Sequence, residues 1–272
     1  MIRTMIGIRR ALPGLLIVTA AFIPVRTEAL ELFTAPRNAE VDARGARSVR
    51  IEAAAGGLRV EGQSGLTKVR VRGSARSSRR GRLANIKLIA ERRGDVVFIK
   101  ANMPVTTIGF WNLMNGDNGR MELDLVIEVP TSIALDVSDG SGDAEFINTG
   151  PLVLHDGSGE INIRGSHGDV RVSDGSGNLV ISGVEGNVVV DDGSGEIRAS
   201  NVTGDFTVES DGSGNMDVSG VGGTMRVVSD GSGNIDVDRV GGDFVVDNGG
   251  SGTIRYDVVK GTVRVPERRR RG

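Results

Sequence analysis

The sequence "SDGSGD" at residues 138–143 begins a series of near-identical turns that decides the fold of this protein. The tetrapeptide DGSG recurs at intervals of 17 to 19 residues, and an altered seventh copy, "DNGGSGT", starts at Asp247. The six regular copies begin at Asp139, Asp156, Asp174, Asp192, Asp211 and Asp230. Units of this length cannot bury an apolar face alone, so the repeat predicts a stack of equivalent units.

Between consecutive turns, apolar residues recur at every second position, as in strands that bury one face. Each unit holds two such strands around a mid-repeat glycine, and alignment of the units on DGSG gives five apolar columns. One column contains Ala144, Ile161, Leu179, Ile197, Met216, Ile235 and Ile254. The pattern predicts an all-β, single-stranded parallel β-helix or solenoid with coils of about 18 residues. We expect a right-handed solenoid, because parallel crossovers are almost always right-handed.

The regular repeats occupy residues 139–265, whereas residues 30–138 show the same alternation without the regular turn. The stretch "AGGLRVEG" at residues 55–62 resembles a degenerate repeat, and "EVPTSIALDVSDGSGD" leads directly into the first regular coil. Because open strand edges aggregate, we expect residues 30–138 to form irregular β coils that cap one end of the rod. Residues 266–272, "PERRRRG", form a basic tail.

Residues 1–29 have the pattern of a signal peptide. Arginines precede an apolar run at residues 11–25, and Ala29 suits cleavage before Leu30. The run is shorter than the ~20 residues of a membrane span, so an uncleaved anchor is the less favoured alternative. We therefore expect an exported protein, periplasmic or secreted, without a membrane span after cleavage. The chain has no cysteine, so its stability cannot depend on disulfides.

Charge is distributed unevenly along the chain. Residues 30–138 contain 17 Lys and Arg against 12 Asp and Glu, whereas residues 139–265 contain 8 against 21. The predicted solenoid is therefore acidic and lies between two basic segments. A basic tail can bind nucleic acid, but export argues against that partner, and we expect an envelope protein or a glycan instead. The sequence does not predict an oligomeric state.

Stacking in register would place the six DGSG aspartates in a column about 5 Å apart. Neighbouring charges would then repel each other by about 1 kcal/mol. The favoured interpretation is an Asx turn, in which each carboxylate accepts a hydrogen bond from the backbone N–H two residues on. The alternative is a Ca²⁺ column formed by these six aspartates, since calcium β-rolls also combine glycine-rich turns with aspartate. DGSG lacks the calcium-binding spacing, so we predict no metal or other cofactor.

No group of residues predicts catalysis. His155 and His167 lie just outside strands, where we expect them to be exposed. Glu145, Glu160 and Glu196 could face a polysaccharide as paired carboxylates, but they occupy ordinary outward positions of the repeat. We therefore predict no catalytic residues, and a polysaccharide-active β-helix enzyme is an alternative function.

The segment "MPVTTIGFWNLMNGDNGR" at residues 103–120 interrupts the pattern and contains the only tryptophan. Its apolar side chains indicate either a lid over the N-terminal end of the rod or an exposed patch that binds a partner. The partner-binding candidates are Phe110, Trp111, Leu113 and Met114.

The serial "DGSG-x-I-x-V" units and the entry "VPTSIALDVSDGSGDAEF" resemble the bacterial "putative adhesin" family of β-strand-repeat domains, which is similar to the head domain of autotransporter adhesins. The resemblance covers residues 48–265 and implies a solenoid fold and an envelope protein without known catalytic residues. The favoured function is a non-enzymatic, exported scaffold or binding module. A Ca²⁺-stabilised repeat protein is a second alternative, beside the polysaccharide-active enzyme.

Overall fold

A computed structural model describes residues 32–104 and 120–266 of the chain. Turns and loops connect 22 strands in these residues, together with one short 3₁₀ helix at Arg80–Asn85. The strands are β1 (Phe33–Asp42), β2 (Ser48–Glu52), β3 (Leu58–Gln63), β4 (Lys68–Ser77), β5 (Lys87–Arg93), β6 (Val96–Asn102), β7 (Met121–Pro130), β8 (Ala134–Asp139), β9 (Ala144–Thr149), β10 (Leu152–Asp156), β11 (Ile161–Ser166), β12 (Val170–Asp174), β13 (Leu179–Val184), β14 (Val188–Asp192), β15 (Ile197–Val202), β16 (Phe206–Asp211), β17 (Met216–Val221), β18 (Met225–Val227), β19 (Ile235–Val240), β20 (Phe244–Val246), β21 (Ile254–Val259) and β22 (Val263–Arg264).

The strands form two 11-stranded sheets that share one apolar core. Sheet A has the order β1-β4-β7-β3-β9-β11-β13-β15-β17-β19-β21, and sheet B has the order β22-β20-β18-β16-β14-β12-β10-β8-β2-β6-β5. From β8 to β21, each coil gives one strand to sheet B, turns at DGSG or at its altered seventh copy, and gives the next strand to sheet A. Neighbouring coils pair in parallel, and the predicted parallel β-solenoid is confirmed, with about seven turns of about 19 residues.

The N-terminal part caps one end of the rod with antiparallel strands, which confirms the predicted irregular β cap. β4 pairs antiparallel with both β1 and β7 in sheet A, and β5 pairs antiparallel with β6 in sheet B. The coil made of β2 and β3 contains the degenerate repeat. It lies between the β6–β7 coil and the β8–β9 coil, so spatial order and chain order differ here.

The alternation within each strand decides which side chains fill the interior. Leu152 pairs with Val170 and Leu154 pairs with Val172, and all four side chains are buried between the sheets. The predicted apolar columns are buried as far as the sixth coil, and Phe146, Phe206 and Phe244 are fully buried among them. The last coil differs, because its Tyr256 is 50% exposed.

Glycine in the DGSG turn is required by the close approach of successive coils. The second glycine of each turn has a positive φ, which is 153° at Gly195. A Cβ atom at Gly195 would lie 1.6 Å from the carbonyl oxygen of Gly177 in the preceding coil. Where the repeat lengthens from 18 to 19 residues, the register of β14 and β16 shifts between Val190 and Asp191, so a bulge absorbs the extra residue.

Candidate functional site

The six DGSG aspartates form a column inside the rod. Five of them end a sheet B strand, and Asp230, beyond the end of β18, forms an isolated bridge with Asp211. The pairing brings all six into register: Asp139, Asp156, Asp174, Asp192, Asp211 and Asp230. The pleat directs their side chains to the same side as the buried leucines and valines of those strands. All six are between 1% and 7% exposed, so the carboxyl groups have left water almost completely.

Hydrogen bonds satisfy only part of this column. Oδ1 of Asp174 accepts from the backbone N–H of Ser176 at 3.0 Å, and Oδ1 of Asp192 accepts from that of Ser194 at 3.2 Å. These contacts are Asx turns, the geometry expected from the sequence. Asp139 differs, since its Oδ1 accepts from the adjacent N–H of Gly140 at 2.8 Å. At least one oxygen in each of the six carboxyl groups is buried without a hydrogen-bond partner.

Burial and mutual repulsion raise the pKa of the carboxyl groups in the column. Burial, together with repulsion from Asp156, raises the pKa of Asp139 to about 7. Burial, together with repulsion from the two adjacent aspartates, raises the pKa of Asp211 to about 7. Asp156 and Asp192 reach a pKa of about 6 for the same two reasons. These four carboxyl groups therefore lose their protons at a higher pH than an ordinary aspartate does.

The seventh coil ends the column. In its altered turn, the backbone N–H of Asp230 donates to the carbonyl oxygen of Asn248 at 2.8 Å. The next residue, the buried Gly249, therefore lies beside Asp230 where a regular copy would have an aspartate. Asp247, the first residue of that copy, is exposed and pairs with Arg226 at 2.6 Å. The acidic column is thus limited to the six regular copies.

The arrangement of the aspartate column differs from that of a calcium site. Within residues 32–104 and 120–266, no group of three or more His, Asp or Glu side chains is arranged to hold a metal. Calcium requires six to eight oxygen ligands around one point, whereas one column supplies carboxyl groups in a single row. Stabilisation of the rod by Ca²⁺ stays an alternative that a melting experiment can test.

Two further columns lie on the outer corners of the coils and stabilise the stacking. Side-chain oxygens in one coil accept the backbone N–H of the residue one coil further on. Asp169 accepts from Asn187 at 2.8 Å, and Asn187 accepts from Asp205 at 2.9 Å. The other corner uses the column that follows DGSG, where Asn215 accepts from Asn234 at 3.1 Å. These Asp and Asn side chains therefore have a structural role that the sequence did not reveal.

The residues weighed for catalysis are dispersed over the surface. Glu145 forms ion pairs with Arg59 and Arg164 on the outer face of sheet A. Glu196 pairs with Arg198 at 2.6 Å, and Glu160 is exposed at the turn one coil beyond Glu145. The two histidines are exposed, with Nδ1 of His167 2.9 Å from a carboxylate oxygen of Glu185.

The outer face of sheet B carries a shallow, mainly apolar groove of about 380 Å³. Val153, Arg171 and Val189 follow one another across β10, β12 and β14 at outward positions. Leu135 and Pro151 complete the groove near the strand starts. Val153 is 39% exposed, and the Arg171 side chain, which also lines the groove, reaches Glu209 of β16, with Nη2 2.9 Å from both carboxylate oxygens. We call this surface the sheet B groove. The sequence pattern did not predict it, although the valines at outward positions of the repeat indicated apolar surface there.

The partner-binding candidates Phe110, Trp111, Leu113 and Met114 lie outside the described residues. The segment that contains them connects β6 in sheet B with β7 in sheet A. None of the helical segments in the described ranges has the length and hydropathy of a membrane span.

Comparison with known proteins supports the fold. No protein-family model and no curated protein sequence matches the chain. A solved structure described as a "putative adhesin" from Bacteroides fragilis has a TM-score of 0.50 at 14% identity and covers 86% of this chain and 96% of its own. A "putative lipid binding protein" from Parabacteroides distasonis has a TM-score of 0.43 at 14% identity, covering 84% of this chain and 96% of its own.

A "putative cell adhesion protein" from Clostridium sporogenes has a TM-score of 0.38 at 14% identity and covers 75% of this chain and 99% of its own. At such identities the similarity concerns the fold alone. The resemblance predicted from the DGSG repeats is confirmed at that level: in its fold, this chain is similar to a bacterial protein described as a "putative adhesin".

Proposed function

We propose that this protein is a non-enzymatic, adhesin-like rod of the cell envelope, exported to the periplasm or beyond, that binds an envelope protein or a glycan. The observation that supports this function is the sheet B groove. It is an apolar surface at outward positions, where the packing of the solenoid does not require apolar side chains. Exposed apolar surface with polar surroundings is typical of binding sites.

The groove is suited to binding because the solenoid holds it rigid. Val153 and Val189 belong to strands that pair on both sides, so their backbone positions are set by the stack. The flanking corner residues Asp169 and Asn187 are polar and exposed, and they could orient a ligand by hydrogen bonds. Solenoids commonly bind partners through such extended surfaces, and the adhesin description of the Bacteroides neighbour agrees with this function.

The experiment compares two aspartate substitutions in one region of the rod. Val189→Asp introduces a charge into the sheet B groove, whereas Val180→Asp introduces the same charge at a half-buried outward position on sheet A. We expect the purified protein to bind on an array of bacterial glycans and purified envelope proteins, V189D to lose that binding, and V180D to keep it. Equal binding by the two variants at equal melting temperatures would refute the groove as the site.

The Phe110–Met114 candidates give the proposal a second binding segment to test. We expect the double variant Phe110→Ala and Trp111→Ala to weaken binding while the melting temperature stays unchanged, because binding hot spots are aromatic and clustered. A large fall in the melting temperature would instead identify these side chains as part of a lid packed on the rod.

Export is tested independently of binding. Mass spectrometry of the envelope fraction should find a chain that begins near Leu30, since cleavage after Ala29 is the predicted processing step. A full-length cytoplasmic chain as the main product would contradict the proposed location.

A further inference from the structure

The last coil that the structure describes has two exposed strand edges. β21 and β22 are the outermost strands of sheets A and B, so each has one edge without a neighbouring strand among the described residues. Tyr256 of β21 is 50% exposed, although the equivalent residue of the preceding coil, Val237, is only 4% exposed. Its ring contacts Phe244 of β20, with centroids 5.8 Å apart.

A second exposed apolar side chain distinguishes this coil. Val258 is 56% exposed and has a positive φ of 49°. The preceding coils place Asn201, Gly220 and Arg239 at the same bend of the chain. A β-branched residue rarely adopts this conformation, and a valine here adds apolar surface to the open end without filling the core. Exposed apolar strand edges of this kind pair with other chains.

The charges of β21 are complementary to those of a second β21 strand. Arg255 and Asp257 flank Tyr256 and point outward, on the same face of the sheet. If two copies pair antiparallel about Tyr256, Arg255 of each lies directly opposite Asp257 of the other. Oppositely charged residues at directly opposed positions stabilise an antiparallel pair, and two-fold symmetry supplies the contact twice.

We propose that β21 pairs with β21 of a second copy of this chain, forming a two-fold, tail-to-tail dimer centred on Tyr256. Sheet A then continues from one rod into the other, and the aromatic rings at the two open ends cover each other. The interface is closed, because each copy uses the β21 edge that its own described strands leave open. It is separate from the sheet B groove, so the dimer and the proposed function can fail independently.

Disulfide trapping tests the register. The chain has no cysteine, so Tyr256→Cys introduces a single thiol at the two-fold axis. Directly opposed residues of an antiparallel pair have Cα atoms about 4.5–5.5 Å apart, a distance that a disulfide spans. We expect Y256C to form a covalent dimer upon mild oxidation. Arg198→Cys, exposed on the outer face of sheet A in the middle of the rod, is the control for random collision and should stay monomeric on a denaturing gel.

A charge exchange tests the Arg255–Asp257 contact without a disulfide. Arg255→Asp places two aspartates opposite each other at both contacts, so sedimentation should show a dimer weakened by roughly tenfold or more. The same substitution removes the exposed pair with Asp236 within the chain, which is 3.3 Å long. The double variant Arg255→Asp with Asp257→Arg reverses both charges and should restore the dimer, which a merely local effect would not do.

Three outcomes would overturn this proposal. The first is a wild-type protein that stays monomeric in sedimentation at all concentrations, which would mean that the end is free or covered by the chain itself. The second is a series of open polymers, which would indicate head-to-tail stacking on β1 and β5. The third is equal cross-linking of Y256C and R198C.

Discussion

Replacing one buried aspartate by asparagine should stabilise the rod above neutral pH. Asp211 is the most informative position, because it is 2% exposed and lies between Asp192 and Asp230 in the column. Neither of its carboxylate oxygens has a hydrogen bond of ordinary geometry, so Asp211→Asn removes a charge and loses little else. The asparagine amide can also donate to a neighbouring carboxylate, which the ionised aspartate cannot do.

The magnitude follows from the pKa of Asp211, which burial and its charged neighbours raise from 3.8 to about 7. Each pKa unit corresponds to about 1.4 kcal/mol, so the ionised form costs at most about 4 kcal/mol of folding free energy. A lost local hydrogen bond would cost only about 1 kcal/mol, so the relief of the charge decides the sign. Since relaxation of the neighbours recovers part of this cost, we expect D211N to gain about 2–4 kcal/mol at about pH 8.5.

The pH dependence has a defined sign. A carboxyl group whose pKa is raised by folding takes up a proton on folding, and its favourable contribution is complete below the unfolded pKa of 3.8. That contribution is lost as the pH rises through the folded value of about 7. The wild-type protein should therefore lose stability between about pH 4 and about pH 7 to 8, and D211N should lose less.

Thermal unfolding followed by circular dichroism at several pH values is the assay. At about pH 8.5, D211N should melt roughly 5–10 °C above the wild type, and at about pH 4 the two should coincide. Asp217→Asn, an exposed aspartate in the next strand, is the matched control and should change neither value. A D211N variant that is less stable than the wild type at alkaline pH would refute the argument that the column is desolvated and unpaired.

Three other perturbations test the packing and the metal alternative. Gly195→Ala should destabilise the rod by at least about 3 kcal/mol, because its Cβ would meet the carbonyl oxygen of Gly177 at 1.6 Å, while Gly81→Ala, with open space around it, serves as the control in the same chemical denaturation. Phe206→Ala should cost about 3–5 kcal/mol in that assay, since the ring is fully buried between the sheets, and a cost below about 1 kcal/mol would contradict the packing. Millimolar Ca²⁺ or a chelator should leave the melting temperature unchanged, because the column offers carboxyl groups in one row rather than around one point. A rise of many degrees with Ca²⁺ that D211N abolishes would assign the column to calcium instead.

The sequence by itself determined the fold class. Alternation of apolar residues is a local property of strands, and a repeat of 17 to 19 residues forces each strand to pair with its equivalent in the next coil. The buried columns that include Phe146 and Val190 therefore follow from the spacing of apolar residues alone. The glycines of DGSG were predictable as turn residues for the same local reason.

The tertiary structure alone decided the environment of the DGSG aspartates and the order of the N-terminal coils. Whether an aspartate at a strand end faces solvent or the interior depends on where the chain turns relative to the pleat, and the same residues are compatible with both. Likewise, β3 lies between β7 and β9 in sheet A, although β4 to β6 separate it from β7 in the sequence. No local sequence pattern predicts that order, because the chain crosses to sheet B at β5 and β6 before it returns. Burial, pKa values and strand pairing depend on neighbours far apart in the chain. The acidic column, the sheet B groove and the edge of β21 that no described strand covers therefore became visible only in three dimensions.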